Sequence, residues 1–395
     1  MDYRFRFVAD RFAGDKAYPA LARHKAEPYT QSWREFGRHW PWTVPVELHE
    51  HCRSHGMEHE LYTSDDHPSD CFYTIGLGFF DFKIDYIGML PGIIKQKLKN
   101  HLITLLFYYH EGDNPYHIKT RLDDLCHWHH LPTDCYRFIS GNTRADAIKN
   151  FAWFADHELL YWHRNRHATA LTVHQEDRPW RFTVLNRTHK WWRASVMADL
   201  WRSGLLAHSR WSYRTDVDCG DQPEDNPIEV DSIPGLRSAM ETFLKDCPYT
   251  CDDLTIEEQN DHHLVHADHY QTSWCSIILE THFDADGSHG AFLTEKIFRA
   301  IKHGHPFVVL ACPGTLAALR DLGYRTFDHA IDNAYDLEID NTKRYMLAKT
   351  AIESLAAKDM SSWFDTVRSD IEHNQRLFLS TKKDRLNRLF ERLHQ

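Results

Sequence analysis

Apolar positions along this chain fall into short continuous runs, separated by stretches at helical spacing. Residues 71–78 (CFYTIGLG), 101–110 (HLITLLFYYH) and 136–139 (YRFI) read as strands. The second is apolar on both faces, the mark of a strand covered on both sides. Between them, 91–100 (PGIIKQKLKN) reads as a helix with proline in its first turn, and 116–130 sets Ile118, Leu122 and Leu125 along one helical face. Residues 146–154 are expected to be helical. The second half repeats the scheme. Residues 180–186 (WRFTVLN) form a strand, 192–204 a helix ended by glycine, and 216–234 an acidic, proline-containing loop. A strand at 273–282 (SWCSIILETH), a glycine-containing turn at 284–289, a helix after Thr294, a strand at 306–311 and a helix at 315–322 follow. Residues 345–395 are expected to be helical, with a break near Thr381. Strands alternating with helices imply parallel sheets wound on both faces. The expected fold class is therefore α/β, two doubly wound Rossmann-like domains facing a central cleft, with C-terminal helices. The expected limits are 1–165, 166–375 and a C-terminal helix 376–395 packing back on the first domain, with the boundary in the polar stretch 163–179.

Composition narrows the function. The 395 residues are 42% hydrophobic and 13% aromatic, enough for two large cores. A net charge of -11 excludes a generic polyanion binder, so contact with DNA needs a local basic face. The candidates for one are Lys95, Lys97 and Lys99, with Arg164 and Arg166. Nine cysteines without regular spacing argue against a disulfide framework and for a reducing compartment. The first residues carry charge and no apolar signal core, and no apolar run reaches the roughly 18 residues of a membrane span. A soluble, cytoplasmic protein without a membrane partner is expected. The 30 histidines include three clusters: His51, His55 and His59; His127, His129 and His130; and His262, His263, His266 and His269. On a helix the first three would share a face. None has the spacing of a known zinc motif, and no metal is expected.

Candidate chemistry gathers where strands end, as it does in open α/β sheets. Polar groups stand at Glu111-Gly112-Asp113, Ser140-Gly141-Asn142, Asn186-Arg187 and Glu280-Thr281-His282. The most pointed is Thr294-Glu295-Lys296, at the start of a helix. A helix start gathers unpaired N–H groups and positive dipole, so it suits a phosphate. Trp191, Trp192, Trp201 and Trp211 lie among basic residues and could stack on bases or sugars, although packing against the sheet is the favoured role.

The segments FLTEKIFRAI (292–301) and GHPFVVLACPGTL (304–316) resemble the donor-site region of GT-B glycosyltransferases, in particular the TEK segment of α-1,3-fucosyltransferases. With LNR and HKWWR (185–193), ILETHF (278–283), LRDLGYRTFD (319–328) and IDNAYD (331–336), the ordered set resembles glycosyltransferases of bacteriophages and giant viruses. Some of these decorate hydroxymethylated bases in viral DNA. The resemblance covers residues 136–345. The first half departs from fucosyltransferases, so neither sugar nor acceptor carries over from them.

The resemblance implies a GT-B hexosyl- or pentosyltransferase, taking a sugar from a UDP- or GDP-sugar to an acceptor hydroxyl with no cofactor required. Lys296 would contact the donor diphosphate, and Glu295 would accept hydrogen bonds from ribose or sugar hydroxyls. Arg187 and Arg193 would neutralise phosphate, with Thr294 and Glu280 completing the donor side. Basic side chains and a helix dipole then stabilise the leaving diphosphate in place of a metal. The acceptor hydroxyl needs a general base from the first domain. Glu111 is the first candidate, and Asp156 with His157 the second. The preferred acceptor is a 5-hydroxymethylpyrimidine in double-stranded phage DNA. A glycan or lipid-linked acceptor is the alternative, and a non-catalytic viral binding or structural protein the reading from another class.

Overall fold

The computed structural model describes residues 5–8, 46–62, 67–77, 80–165, 178–217, 220–252, 267–284 and 290–395. The chain divides into two compact units, Met1–Leu160 with Thr381–Gln395, and Tyr161–Ser380. The polar stretch expected to separate the domains falls mostly in residues 166–177, outside the described part, as do His262, His263, His266, Arg166 and the turn at 285–289.

The first unit is built on six parallel strands: β1 (Phe5–Val8), β2 (His59–Tyr62), β3 (Cys71–Leu77), β4 (Ile103–Tyr109), β5 (Tyr136–Ser140) and β6 (Phe151–Trp153), in the order β2-β1-β3-β4-β5-β6. Side chains alternate between faces along a strand, and the core divides accordingly. Leu105, Phe107 and Tyr109 of β4 enter one apolar cluster with Ile94, Leu98, Ile118, Leu122 and Leu125. These last five lie on helices α2 (Gly92–Lys99) and α3 (Pro115–Trp128), earlier in the chain than which comes α1 (Val46–Ser54). Leu106 and Tyr108 point the other way, into a second cluster with Leu48 and Cys52 of α1 and Leu159 of α4 (Asp156–Asn165). Leu386, Leu389, Phe390 and Leu393 of the last helix, Lys383–Leu393, complete that second cluster. A sheet apolar on both faces and covered on both is the doubly wound arrangement.

The second unit holds four parallel strands, β7 (Trp180–Asn186), β8 (Ser209–Tyr213), β9 (Ser273–Leu279) and β10 (Phe307–Leu310), in the order β10-β9-β7-β8. Its helices are α5 (Trp191–Arg202), α6 (Leu236–Lys245), α7 (Asp268–Gln271), α8 (Glu295–Lys302), α9 (Thr315–Asp321), α10 (Asn341–Ala356) and α11 (Met360–Leu379), after which α12 is Lys383–Leu393. The guanidinium of Arg178 stacks between Trp274 of β9 and Phe364 of α11, at 4.2 and 4.1 Å from the ring centres. The α/β class and two doubly wound parallel sheets expected from the sequence are the observed fold.

Three local expectations are corrected. Residues 146–154 are not a helix. A 3-10 turn at Thr143–Ala147 is capped by the Asn142 side chain, Asn150 takes φ 72°, and Phe151–Trp153 pairs with β5. The three histidines do not share a helix face: the helix carrying His51 ends at Ser54, His55 stands just past it, and after Gly56 (φ 65°) His59 opens β2. The region 345–395 is broken twice, at residues 357–359 and 380–382, and not only near Thr381. Among the described residues, no helix is long and apolar enough to cross a membrane.

Candidate functional site

The carboxyl ends of β7 and β9 lie side by side, since Thr183 pairs with Ser276 in parallel register. Glu280 follows β9 directly and is 1% exposed. Its carboxylate accepts from the Thr294 hydroxyl at 2.6 Å and from the backbone N–H of Thr281 at 3.0 Å and of Thr294 at 3.3 Å. Burial pushes this carboxyl up from the ordinary glutamate value, against the Lys296 ammonium and the Thr294 hydrogen bonds, which pull it down. A buried carboxyl tolerates such a place only when donors surround it.

Thr294 links this group to the helix. It caps α8, its hydroxyl oxygen accepting from the Lys296 N–H at 3.4 Å. The same oxygen accepts from Lys296 Nζ at 3.1 Å, while Thr281 Oγ1 at 3.3 Å and Glu295 Oε1 at 3.2 Å also hold that ammonium. Nζ stands 3.8 Å from Glu280 Oε2. The Lys296 side chain keeps 26% exposure at this helix start. All three residues of the Thr-Glu-Lys triplet and Glu280 are thus one hydrogen-bonded cluster.

Arg193 and Lys190 join it from α5. Arg193 is 3% exposed and donates to the Glu280 carbonyl at 2.6 Å and the Thr188 carbonyl at 3.3 Å. It therefore holds the strand end in place. Lys190 donates to the Thr281 carbonyl at 2.8 Å. Lys190 was not among the residues singled out from sequence, although it stands inside HKWWR just before the helix. Arg187 is half-buried, directly after Asn186. Asn186 is 3% exposed, and its Oδ1 has no hydrogen-bond partner among the described residues, leaving an acceptor at the strand end.

The neighbouring helix start is already taken. The Asp336 carboxylate accepts from the N–H groups of Leu316 at 2.9 Å and Ala317 at 3.2 Å, occupying the first turn of α9 with the chain's own anion. Arg344, 1% exposed, ties the ends of both strands together through the carbonyls of Ala311 and Phe283. Of the tryptophans, Trp192 is buried and stacks on Phe283 at 4.8 Å, and Trp211 stacks on Tyr249 at 4.0 Å. Trp201 lies 6.3 Å from Phe243.

In the first unit, Glu111 follows β4 and its side chain is 37% exposed, with His110 Nε2 3.6 Å away. Its turn is braced by Asn142, which donates to the Gly112 carbonyl at 2.9 Å, and by Gly141, whose N–H donates to the Glu111 carbonyl at 3.0 Å. Asp156 is 2% exposed and bonded to His51 Nε2 at 2.8 Å and to the Tyr108 hydroxyl. Burial alone would raise its carboxyl, but His51, His110 and Tyr108 together hold it below the ordinary aspartate value. His157 is half-buried, its ring 5.8 Å from that of His110.

Members of the first two histidine clusters and of the lysine run take up local partners. His55 Nδ1 accepts from the Lys382 N–H at 3.1 Å, and His129 pairs with Asp85 at 2.7 Å. Lys95 donates to the Gly88 carbonyl and Lys97 to His67, while Lys99 is exposed. Two residues apart on a helix, Lys97 turns away from the other two.

No family model matches the chain, and no curated protein matches it. Among solved structures, it is similar to a DNA-modifying β-glucosyltransferase determined with and without its substrate uridine diphosphoglucose, at TM-score 0.36 and 9% identity over 98% of this chain and 100% of that one. It is also similar to T4 phage BGT in complex with UDP and Mn2+, at TM-score 0.28 and 10% identity over 84% of this chain and 92% of the other. Both likenesses are distant, and the fold described above rests on strand order and the two-faced core alone.

Proposed function

We propose that this protein is a glycosyltransferase that takes a nucleoside-diphosphate sugar as donor. The observation that carries this is the Lys296 ammonium, held by Thr281, Thr294 and Glu295 at the start of α8 on a side chain that keeps 26% exposure. Loss of a nucleoside diphosphate develops negative charge on the leaving oxygen, and an oriented ammonium with a helix dipole stabilises that charge without reorganising. Lys296 contacts the diphosphate, with Arg187 as the second cation. Glu295 accepts hydrogen bonds from donor hydroxyls. Glu280, Thr294 and Arg193 hold this arrangement in place. The sequence resemblance to GT-B enzymes supports the same assignment and the GT-B class.

Glu111 takes the proton of the acceptor hydroxyl. Its carboxylate is accessible, whereas Asp156 is buried and committed to His51 and Tyr108. The preferred acceptor is a 5-hydroxymethylpyrimidine in DNA, on the strength of the resemblance to viral enzymes. A panel of nucleotide sugars is offered to hydroxymethylated DNA, plain DNA and oligosaccharides, and products are read by mass spectrometry of the digests. A sugar-sized mass gain on the modified nucleoside alone is expected, lost in Glu111→Gln while donor binding persists. Gain on oligosaccharides only would move the acceptor to a glycan. No transfer and no donor hydrolysis with any sugar would leave a non-catalytic binding protein.

A further inference from the structure

Among the described residues, one group of three metal-ligating side chains brings its ligand atoms within 4.8 Å of one another: Cys251, Asp252 and His269. The group stands away from the Lys296 cluster, by the amino ends of β8 and β9 and not at the carboxyl ends of β7 and β9. Its neighbour Arg210 is the second residue of β8, and α7, which carries His269, leads into the first residue of β9. Both halves are anchored. Tyr249, two residues before Cys251, exchanges backbone hydrogen bonds with Tyr213 at 2.8 and 2.9 Å and stacks on Trp211. His269 is 2% exposed, and its carbonyl accepts from the Ser273 hydroxyl. His269 Nε2 already meets Asp252 Oδ2 at 3.0 Å.

We propose that Cys251, Asp252 and His269 bind a zinc ion through three protein ligands, joining the chain on either side of residues 253–266. A thiolate, an imidazole and a carboxylate form a borderline-soft set that suits Zn2+ over calcium or magnesium, with water as the fourth ligand. Bond lengths of about 2.0–2.3 Å in a tetrahedral site put ligand atoms about 3.3–3.7 Å apart, so the widest pair closes from at most 4.8 Å while His269 and Asp252 are already within reach. Charge favours a dication. With the thiol ionised, Cys251, Asp252, Asp268 and Asp216 carry four negative charges against Arg210, which pairs with Asp268, and Arg214, which pairs with Asp216. Burial pushes the free Cys251 thiol up to about 11, so binding at neutral pH releases its proton to solvent.

The full-length protein is stripped with a chelator and titrated with Co2+, a spectroscopic stand-in for zinc. A thiolate-to-cobalt charge-transfer band is expected, saturating at a single equivalent and bleached by Zn2+. It should be absent in Cys251→Ser and kept in Cys247→Ser, which alters a half-buried neighbouring thiol. Cobalt bound through imidazoles alone, without that band, would overturn the proposal, as would a band that survives in Cys251→Ser. Metal content of the unstripped protein asks the same question where stripping harms the fold. Zinc is expected in wild type and Cys247→Ser and missing from Cys251→Ser, and equal zinc in all three would refute the site.

Discussion

Asp156 shows how much of this molecule is decided by single buried charges. A carboxylate 2% exposed survives because His51 and Tyr108 meet it directly. Removing one partner of a buried pair strands the other, at a cost of roughly 3–5 kcal/mol. Asp156→Ala should therefore lower the unfolding free energy by about that amount in urea titrations, and a change below ~1 kcal/mol would contradict the assignment. The sign of the pH effect follows from the lowered carboxyl. Its stabilisation is complete above the unfolded aspartate value of about 3.9 and is lost as pH falls through the lower folded value. Asp156→Asn should lack that portion of the acid-unfolding curve. Glu280 works in the opposite sense, its carboxyl raised by burial and steadied by Thr294 and Thr281. Thr294, Glu295, Lys296 and Glu280 were legible in the sequence as a helix start and a strand end. That they form one cluster was not, since Glu280 and Thr294 are separated by a loop whose path no local pattern specifies. Lys190 escaped notice because a lone lysine before a helix looks like any solvated residue.

At the scale of elements, continuous apolar runs were readable and short strands were not. β4 announces itself with seven residues buried or nearly so, whereas Phe5–Val8 and Phe151–Trp153 are too short to impose a period of two. Residues 146–154 mimic a helix in composition, but Asn150 at positive φ and the Asp146 carboxylate, which accepts from the Trp153 N–H at 2.8 Å, favour a turn and a strand. Ser209–Tyr213 carries polar residues at alternate positions and lies at the sheet edge, where burial demands less of it. The two adjacent helix starts in the second unit differ for an equally local reason. Asp336 fills the first turn of α9, while α8 is capped only by a threonine. Asp336→Ala should uncap α9 and cost about 1–2 kcal/mol, with donor affinity unchanged. A loss of donor binding without loss of stability would instead place Asp336 in the site.

The whole molecule is two doubly wound units, and its last helix belongs to the first of them although it follows the second in sequence. Lys382 and Arg385 meet the buried Glu158 at 3.4 and 3.0 Å, and Leu386, Leu389, Phe390 and Leu393 close one face of the first core. Four such side chains contribute roughly 6–12 kcal/mol, comparable to the entire stability of a domain. A chain ending at Ser380 should accordingly lose its cooperative unfolding transition and aggregate, and an unchanged melting temperature would contradict this packing. A net charge of -11 means that an anionic donor approaches against the overall field, so its affinity depends on a few placed cations. Calorimetry of UDP and GDP with wild type and Lys296→Ala tests that dependence most directly. One nucleotide is expected to bind wild type at least about tenfold more tightly than the variant, at equal melting temperature. Equal affinity in the two proteins would contradict the donor site.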